Sequence, residues 1–545
     1  MSTYSIGIDT GGTYTDAVLL NNQTKEMVAW RKERTTSHDL SIGVGTALAG
    51  LLQAGVNTAE ITCLAVSTTL ATNAVVENRG ARVALFVLGT VRPFRLPVVA
   101  NIYLKGGHTI TGQEDEPLDL ERLVDTLPGL ITEVDSYAVC GTMSIKNPTH
   151  ELVVREAIRL IDPKPVFCSH LVSTHSGVLE RSATACLHAR LMPLMTEFLD
   201  SIQRSMTTTG LNCPVIMICG NGKGEALEHI ADRAAITMAS GPAATACFGT
   251  TSGLRSALVV DVGGTTTDVC LIKDGQPLLS KDGCTIGQWQ THVEAVDMYT
   301  AGIGGDTHVL CGPDRTVSLT TTRVHPLAMT MDLPDPGQWL TGGDDTLVLP
   351  VKDLSRELIA QDVLLSFLAT HGPATPRTLA DQTGIRGILL EKRLERLLFL
   401  QHITVAGFTP TDALHALGLL QIGNAGVSRQ AARLLGGTVG TDTTDFCRRV
   451  IEKTETAIEK AILTYLARSI WVEGNSAHFL NRLDNDLFSV RFELKLPIIA
   501  IGAAARCFLP NVAARLGTTA TFPKHYEVGN AIGAALIGSA ESVQA

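Results

Sequence analysis

Two stretches decide how this chain folds: Ile6-Gly7-Ile8-Asp9-Thr10-Gly11-Gly12-Thr13-Tyr14-Thr15-Asp16, and its echo Val259-Val260-Asp261-Val262-Gly263-Gly264-Thr265-Thr266-Thr267-Asp268. Both fit D-x-G-G-T-x-T-D. Each follows a β-branched apolar run and precedes another, Ala17-Val18-Leu19-Leu20 and Val269-Cys270-Leu271-Ile272. The pattern predicts a strand, a tight glycine turn and a second strand. Glycines let backbone amides approach an anion, and threonine hydroxyls add donors. Asp9 and Asp261 offer carboxylates to a hydrated Mg²⁺. Two such hairpins facing each other across a cleft would clamp a nucleoside triphosphate. Asp16 and Asp268 read either as part of that site or as turn caps.

Around the first hairpin the chain alternates. Residues 26–34 read as a third strand, 39–54 as a helix, 61–67 as a strand and 70–76 as a helix. Thr68 and Thr69 at that helix start suit either an anion or simple N-capping. Strands at 83–88, 137–140 and 166–169, a helix at 151–160, a long helix at 180–206 and a strand at 214–219 follow. Ser240-Gly241-Pro242-Ala243-Ala244 opens a helix with Pro in the first turn. Late in the chain, 497–505 reads as a buried strand running into a glycine turn, and 528–535 as a small-residue helix. Strands alternating with helices are an α/β signature.

Composition narrows the function. Of 545 residues, 45% are hydrophobic and only 5% aromatic, with 50 glycines. That suits α/β turns better than an aromatic-rich sandwich. A net charge of −10 argues against nucleic acid as the main partner. No apolar run reaches the roughly 18 residues of a membrane span, and no signal peptide opens the chain. The 12 cysteines contain no C-x-x-C and mostly sit in apolar runs, as free thiols do in a reducing compartment. A soluble, cytoplasmic protein is expected.

Residues 351–406 change character: helix 358–369, a turn at His371-Gly372-Pro373, helix 377–382, a Thr383-Gly384 turn, helix 389–400 and strand 403–405. That order is winged-helix-like. Its third helix mixes Glu391 and Glu395 with Lys392, Arg393 and Arg396, a poor surface for DNA. The segment is read as an interaction or structural insert. Cys168, His170, His175, Cys186 and His188 fit no standard zinc spacing and read as packed side chains. His292 reads as a substrate-side acid or base or as an ordinary sheet histidine. Glu180-Arg181 reads as a buried pair or a helix-start salt bridge.

The duplicated hairpins and the late strand–turn–helix resemble the actin-like ATPase fold of sugar kinases, actin and heat-shock chaperone ATPases. More specifically, the chain resembles the hydantoinase/oxoprolinase family in its shorter form. The matching phrases include both hairpins, Thr68-Thr69-Leu70-Ala71-Thr72-Asn73-Ala74, Glu180-Arg181, Ser240-Gly241-Pro242-Ala243-Ala244, Gly302-Ile303-Gly304-Gly305-Asp306 and Pro410-Thr411-Asp412-Ala413. The resemblance implies an α/β, duplicated actin-like fold. Its first lobe would cover 1–178 and its second 179–350 and 407–545, with the insert at 351–406.

The resemblance also implies ATP and Mg²⁺ as cofactors. Asp9 and Asp261 would hold the metal and serve catalysis. Gly11, Gly12 and Thr13 would contact one end of the phosphate chain, and Gly263, Gly264 and Thr265 the other. Gly502 and Ala503 would lie on the adenosine side, where Ala503 replaces a family glycine. Gly304, Gly305 and Asp306 would close the pocket. Family members open cyclic amides such as hydantoins or oxoproline by phosphorylating the carbonyl oxygen, and related ketone carboxylases activate a ketone. An ATP-dependent cyclic-amide hydrolase subunit is therefore expected. The alternatives are a ketone carboxylase subunit and a non-catalytic ATPase regulator of a partner protein. The chain ends soon after the helix that should close the fold, so a second hydrolase subunit is expected; the alternative is that shorter members are complete enzymes with a narrower task. An oligomer is also expected.

Overall fold

The computed structural model describes residues 3–11, 14–35, 40–76, 80–171, 176–280, 285–286, 289–290, 293–312, 314–340, 343–351, 354–400, 402–468 and 491–541. Two compact units emerge. The first gathers 1–255, 271–297 and 528–545; the second gathers 256–270 and 298–527.

In the first unit, the hairpin strands Tyr4–Thr10 and Tyr14–Asn21 pair antiparallel, with Asp9 opposite Asp16. Met27–Arg34 adds an antiparallel strand beside the second hairpin strand. On the other side, Ile61–Thr68 pairs parallel with Tyr4–Thr10, and Val215–Ile218 pairs parallel with Ile61–Thr68. Ile6, Ile8, Leu64 and Val66 are fully buried in one core with Val44 and Leu48 of helix Leu40–Leu52. A second sheet of four parallel strands runs in the order Ala100–Leu104, Val83–Leu88, Ser136–Gly141, Val166–Cys168. Helix Val178–Thr209 packs on helix Leu40–Leu52 and on the strands of this second sheet.

The second unit repeats the plan. Ala257–Val262 lies beside Thr267–Lys273. Met298–Ala301 pairs antiparallel with the latter. On the far side, Ile498–Ile501 and then Ala520–Thr521 add parallel strands. A hairpin, an antiparallel third strand and two parallel strands thus occur once in each unit. This is the duplicated actin-like ATPase fold.

The unit limits differ from the expected lobes. Residues 179–255 join the first unit because helix Val178–Thr209 fills its core and Val215–Ile218 extends its sheet. The helix Gly529–Glu541 also returns to the first unit, against Tyr4–Thr10, Ile61–Thr68 and helix Ser240–Thr250. Glycine allows that approach. A Cβ at Gly7 would lie 2.0 Å from the Ala531 carbonyl oxygen, and one at Gly533 would lie 1.9 Å from that of Ala244.

The insert has its own core of Val348, Leu364, Leu365, Leu368, Leu379, Leu390, Leu397 and Ile403. It starts earlier than expected, because Thr346–Pro350 pairs antiparallel with Ile403–Gly407. The helix expected over 358–369 is two, Arg356–Gln361 and Val363–His371. Asp362 separates them in an extended conformation, and its carboxylate caps the second by accepting the Leu364 and Leu365 amides. Helices Pro376–Thr383 and Ile388–Phe399 follow. Among the described residues no helix is long and apolar enough to cross a membrane.

Candidate functional site

In the first unit the hairpin tip closes through the Gly11 amide, which donates to the Tyr14 carbonyl at 3.0 Å. Thr35 Oγ1 donates to the Gly11 carbonyl at 2.9 Å. Gly12 and Thr13 lie outside the described residues. Asp9 is 7% exposed. Ser67 Oγ donates to its Oδ1 at 2.7 Å, and Asn530 Nδ2 donates to its Oδ2 at 3.3 Å. Both partners are neutral. Burial raises the Asp9 carboxyl above its ordinary value; Ser67, Asn530 and the more distant Lys32 oppose this, while Asp16 adds to it. Thr10 Oγ1 is buried with no partner among the described residues. Asp16 is tied to Lys32 on the neighbouring strand at 2.8 Å. Thr68 Oγ1 caps the following helix by accepting the Leu70 amide at 3.0 Å. The Thr68 amide donates to Ser240 Oγ at 3.1 Å, which brings Ser240-Gly241 of helix Ser240–Thr250 beside this strand end.

In the second unit the tip closes in the same way, with the Gly263 amide donating to the Thr266 carbonyl at 3.0 Å. Asp261 is 9% exposed. Gly502, at φ +93°, backs onto it: a Cβ there would lie 2.3 Å from Asp261 Oδ1 and 2.5 Å from the Val262 carbonyl oxygen. The Ala504 amide donates to that same carbonyl at 3.1 Å. Ala503, between them, is exposed. Arg506 stacks over the rings of Phe522 and Tyr526, 5.1 and 5.2 Å from their centroids.

Gly304-Gly305-Asp306 braces this tip. The Gly305 amide donates to Gly263 O at 3.0 Å and the Asp306 amide to Gly264 O at 2.7 Å. The Gly304 amide donates to Thr307 Oγ1 at 2.9 Å. A Cβ at Gly304 would lie 2.4 Å from Gly264 O, so the close approach needs glycine. Burial raises the Asp306 carboxyl, and Arg323, 3.2 Å away, opposes that. Asp268 accepts Thr300 Oγ1 at 2.5 Å. The amides of Gly264 and Thr265 have no partner among the described residues.

The other candidates disperse. His188 stacks on Phe167 and accepts the Ala235 amide through Nδ1 at 3.1 Å. Burial, with nearby Arg233, pushes it down to about 3. Cys186 packs in the core. Cys168 and His170 do meet, but around Glu151. The Glu151 carboxylate accepts the Gly141 amide, Ser169 Oγ, the His170 amide and His170 Nδ1 at 2.6–3.0 Å. Burial acts to raise it, and those donors outweigh burial and hold it below its ordinary value. With its oxygens engaged and Arg181 3.9 Å away, Glu151 is the hub of a buried hydrogen-bonded network. Arg181, fully buried, also donates to Ser144, Ser169 and the Gly141 carbonyl. His175 and His292 lie outside the described residues.

Sequence reasoning missed Asn530 and Arg323 at these sites. Asn530 did carry a signal: it is the sole polar side chain in Gly529-Asn530-Ala531-Ile532-Gly533-Ala534-Ala535-Leu536-Ile537.

Two hairpins of one design, each with a buried aspartate, define a protein of the duplicated actin-like ATPase fold. Residues 5–161 match the hydantoinase/oxoprolinase N-terminal region and residues 181–344 match hydantoinase/oxoprolinase, together more than half of the chain. The chain belongs to the hydantoinase/oxoprolinase family. It is 29% identical to caprolactamase subunit alpha of Pseudomonas jessenii over 55% of its own length and 48% of the relative's. It is 28% identical to the acetophenone carboxylase gamma subunit of Aromatoleum aromaticum, over 55% and 47%. The chain thus spans about half the length of these curated relatives. Among solved structures, nucleotide-free acetone carboxylase aligns over 98% of this chain and 70% of its own, with a TM-score of 0.70 at 16% identity.

Proposed function

We propose that this chain is the ATP-using subunit of an enzyme that opens a cyclic amide by phosphorylating its carbonyl oxygen. One observation carries the reading: a buried aspartate beside a glycine hairpin tip is built twice. Asp9 has only neutral donors as partners among the described residues. Lys32 acts on Asp9 only from a distance, without a hydrogen bond, and a buried anion with no directly paired cation is costly, so the site at Asp9 fits a hydrated Mg²⁺. The Gly264 and Thr265 amides, without partners among the described residues, fit phosphate oxygens.

Asp9 and Asp261 would hold the metal. Gly11, Gly12 and Thr13 serve one stretch of phosphate, and Gly263, Gly264 and Thr265 another. Gly304 and Gly305 hold the second tip in shape, and Gly502 and Ala503 flank the adenosine. When bound, Mg²⁺·ATP supplies an activated phosphoryl group. Amide carbonyls are poor electrophiles with a bad nitrogen leaving group, and phosphorylation of the oxygen removes that obstacle. The chain's own contribution is positioning and charge neutralisation. Similarity to an acetophenone carboxylase subunit favours a second reading, activation of a ketone for carboxylation. Both relatives are named as subunits, which supports the need for a second subunit here.

The test uses the purified chain with Mg²⁺·ATP and hydantoin, 5-oxoproline, caprolactam or acetophenone, with and without the protein encoded beside it. Asp9→Asn and Asp261→Asn should each cut ATP turnover by about a hundredfold or more with circular dichroism unchanged. Efficient product formation should need the second protein. Near-normal ATP turnover by both variants would sink the nucleotide assignment, and full-rate ring opening by the chain alone would remove the partner.

A further inference from the structure

We infer that Asn530, on the C-terminal helix, is a positioning residue that sets the Asp9 carboxylate for metal-bound nucleotide. The inference rests on the ATP reading above. The two residues are 521 positions apart in sequence, and the fold brings them within hydrogen-bond reach. Asn530 is the second residue of helix Gly529–Glu541. That helix can lie against the hairpin strand only because Gly7 leaves room for the Ala531 carbonyl.

The amide is oriented at both ends. Thr245 Oγ1, in helix Ser240–Thr250, donates to Asn530 Oδ1. A hydroxyl donor on Oδ1 leaves the NH₂ group to face Asp9. The Gly241 carbonyl, 3.2 Å from Thr245 Oγ1, is the longer, competing acceptor for that single hydroxyl proton. Asp9 is therefore held from two elements. Ser67, on Ile61–Thr68, fixes Oδ1 at 2.7 Å, and Asn530 fixes Oδ2 at 3.3 Å. With each oxygen engaged by a single neutral donor, the plane of the carboxylate is set and further lone pairs stay available. This is how an outer shell orients a metal-binding carboxylate, and loss of such a partner typically costs about 10–100-fold in metal affinity. An aspartate at position 530 would instead put two carboxylates within one hydrogen-bond distance.

The experiment measures ATP binding by titration calorimetry with and without Mg²⁺, in the full-length chain and in Asn530→Ala. The readout is the ratio of the two affinities, which reports coupling between metal and nucleotide. Asn530→Ala should lower that ratio by about tenfold. A merely structural role would weaken both affinities alike, or lower the melting temperature, and leave the ratio unchanged. Thr245→Val, a buried near-isostere that frees the Asn530 amide to rotate, should lower the ratio in the same direction by a smaller factor. It decides the matter if Asn530→Ala fails to fold. An unchanged ratio in the folded variants overturns the role of Asn530 while the ATP reading stands. Absence of ATP binding by the unmodified chain overturns both.

Discussion

Asp261 and Gly502 illustrate how one position constrains another across the chain. The D-x-G-G-T pattern marks Asp261, but its surroundings are set by a glycine some 240 residues later, as the two numbers show. Gly502 occupies φ +93°, a conformation that costs other residues energy, and its missing Cβ is the space in which Asp261 Oδ1 sits. Gly502→Ala forces either the carboxylate or the Val262 carbonyl to move. The expected result is a loss of about 1–3 kcal/mol of stability together with weakened ATP binding, read by thermal melts and calorimetry on one preparation. Unchanged ATP affinity in this variant would show that Asp261 does not depend on that space. Asp9 is held by hydrogen bonds from Ser67 and Asn530. Ser67 ends a strand legible from sequence, just before the Thr68-Thr69 phrase; Asn530 lies in a run of small apolar residues.

Among the elements, the hairpins carry local instructions that survive into the fold. Both tips close by the same amide-to-carbonyl bond across four residues at 3.0 Å, Gly11 to Tyr14 and Gly263 to Thr266. The insert is autonomous in a different sense. Its core is drawn from its own helices and from Val348 and Ile403 on the strands at its base. Those strands pair in register, Pro350 opposite Ile403, so the segment can be removed without stretching the chain. Replacing residues 351–402 by an Asn-Gly turn should close a two-residue hairpin. The shortened protein should fold and bind ATP within about threefold of the parent affinity, under 1 kcal/mol. Loss of ATP binding in a soluble, folded variant would place the segment in the nucleotide-binding core. Specific DNA binding by the insert would contradict the reading of its mixed-charge helix, in which Arg393 is already paired with Asp362 at 3.1 Å.

On the scale of the whole molecule, the chain leaves its first unit at residue 255, returns for 271–297 and comes back again for its last helix. Helix Gly529–Glu541 buries Ala531, Ile532, Ala534, Ala535 and Ile537, and Ala534 and Ile537 share a core with Ala65, Ile218 and Ala244. The core of the first unit therefore includes side chains from helix Gly529–Glu541. Deleting residues 529–545 should lower the melting midpoint by at least about 5 °C and open the first unit to proteolysis, since it uncovers strand residues of the central sheet. A truncated protein with an unshifted melt would mean that the helix is an ornament on a unit complete without it.

The sequence by itself determined the architecture that depends on local pattern. Duplicated hairpins, alternating strands and helices, the glycine tips and the compact helical insert are all written in periodicity and turn chemistry, which act over a few residues. The family followed from the same phrases. Tertiary structure alone decided which distant residues share a site. Asn530 meets Asp9, Gly502 meets Asp261, and Glu151 gathers Ser169 and His170. It also decided that residues 179–255 and the last helix build the first unit. The physical reason is that hydrogen bonds and excluded volume depend on distance in space. A short motif fixes a backbone turn, but the partner of a buried carboxylate is whichever donor the packing of whole elements carries to it.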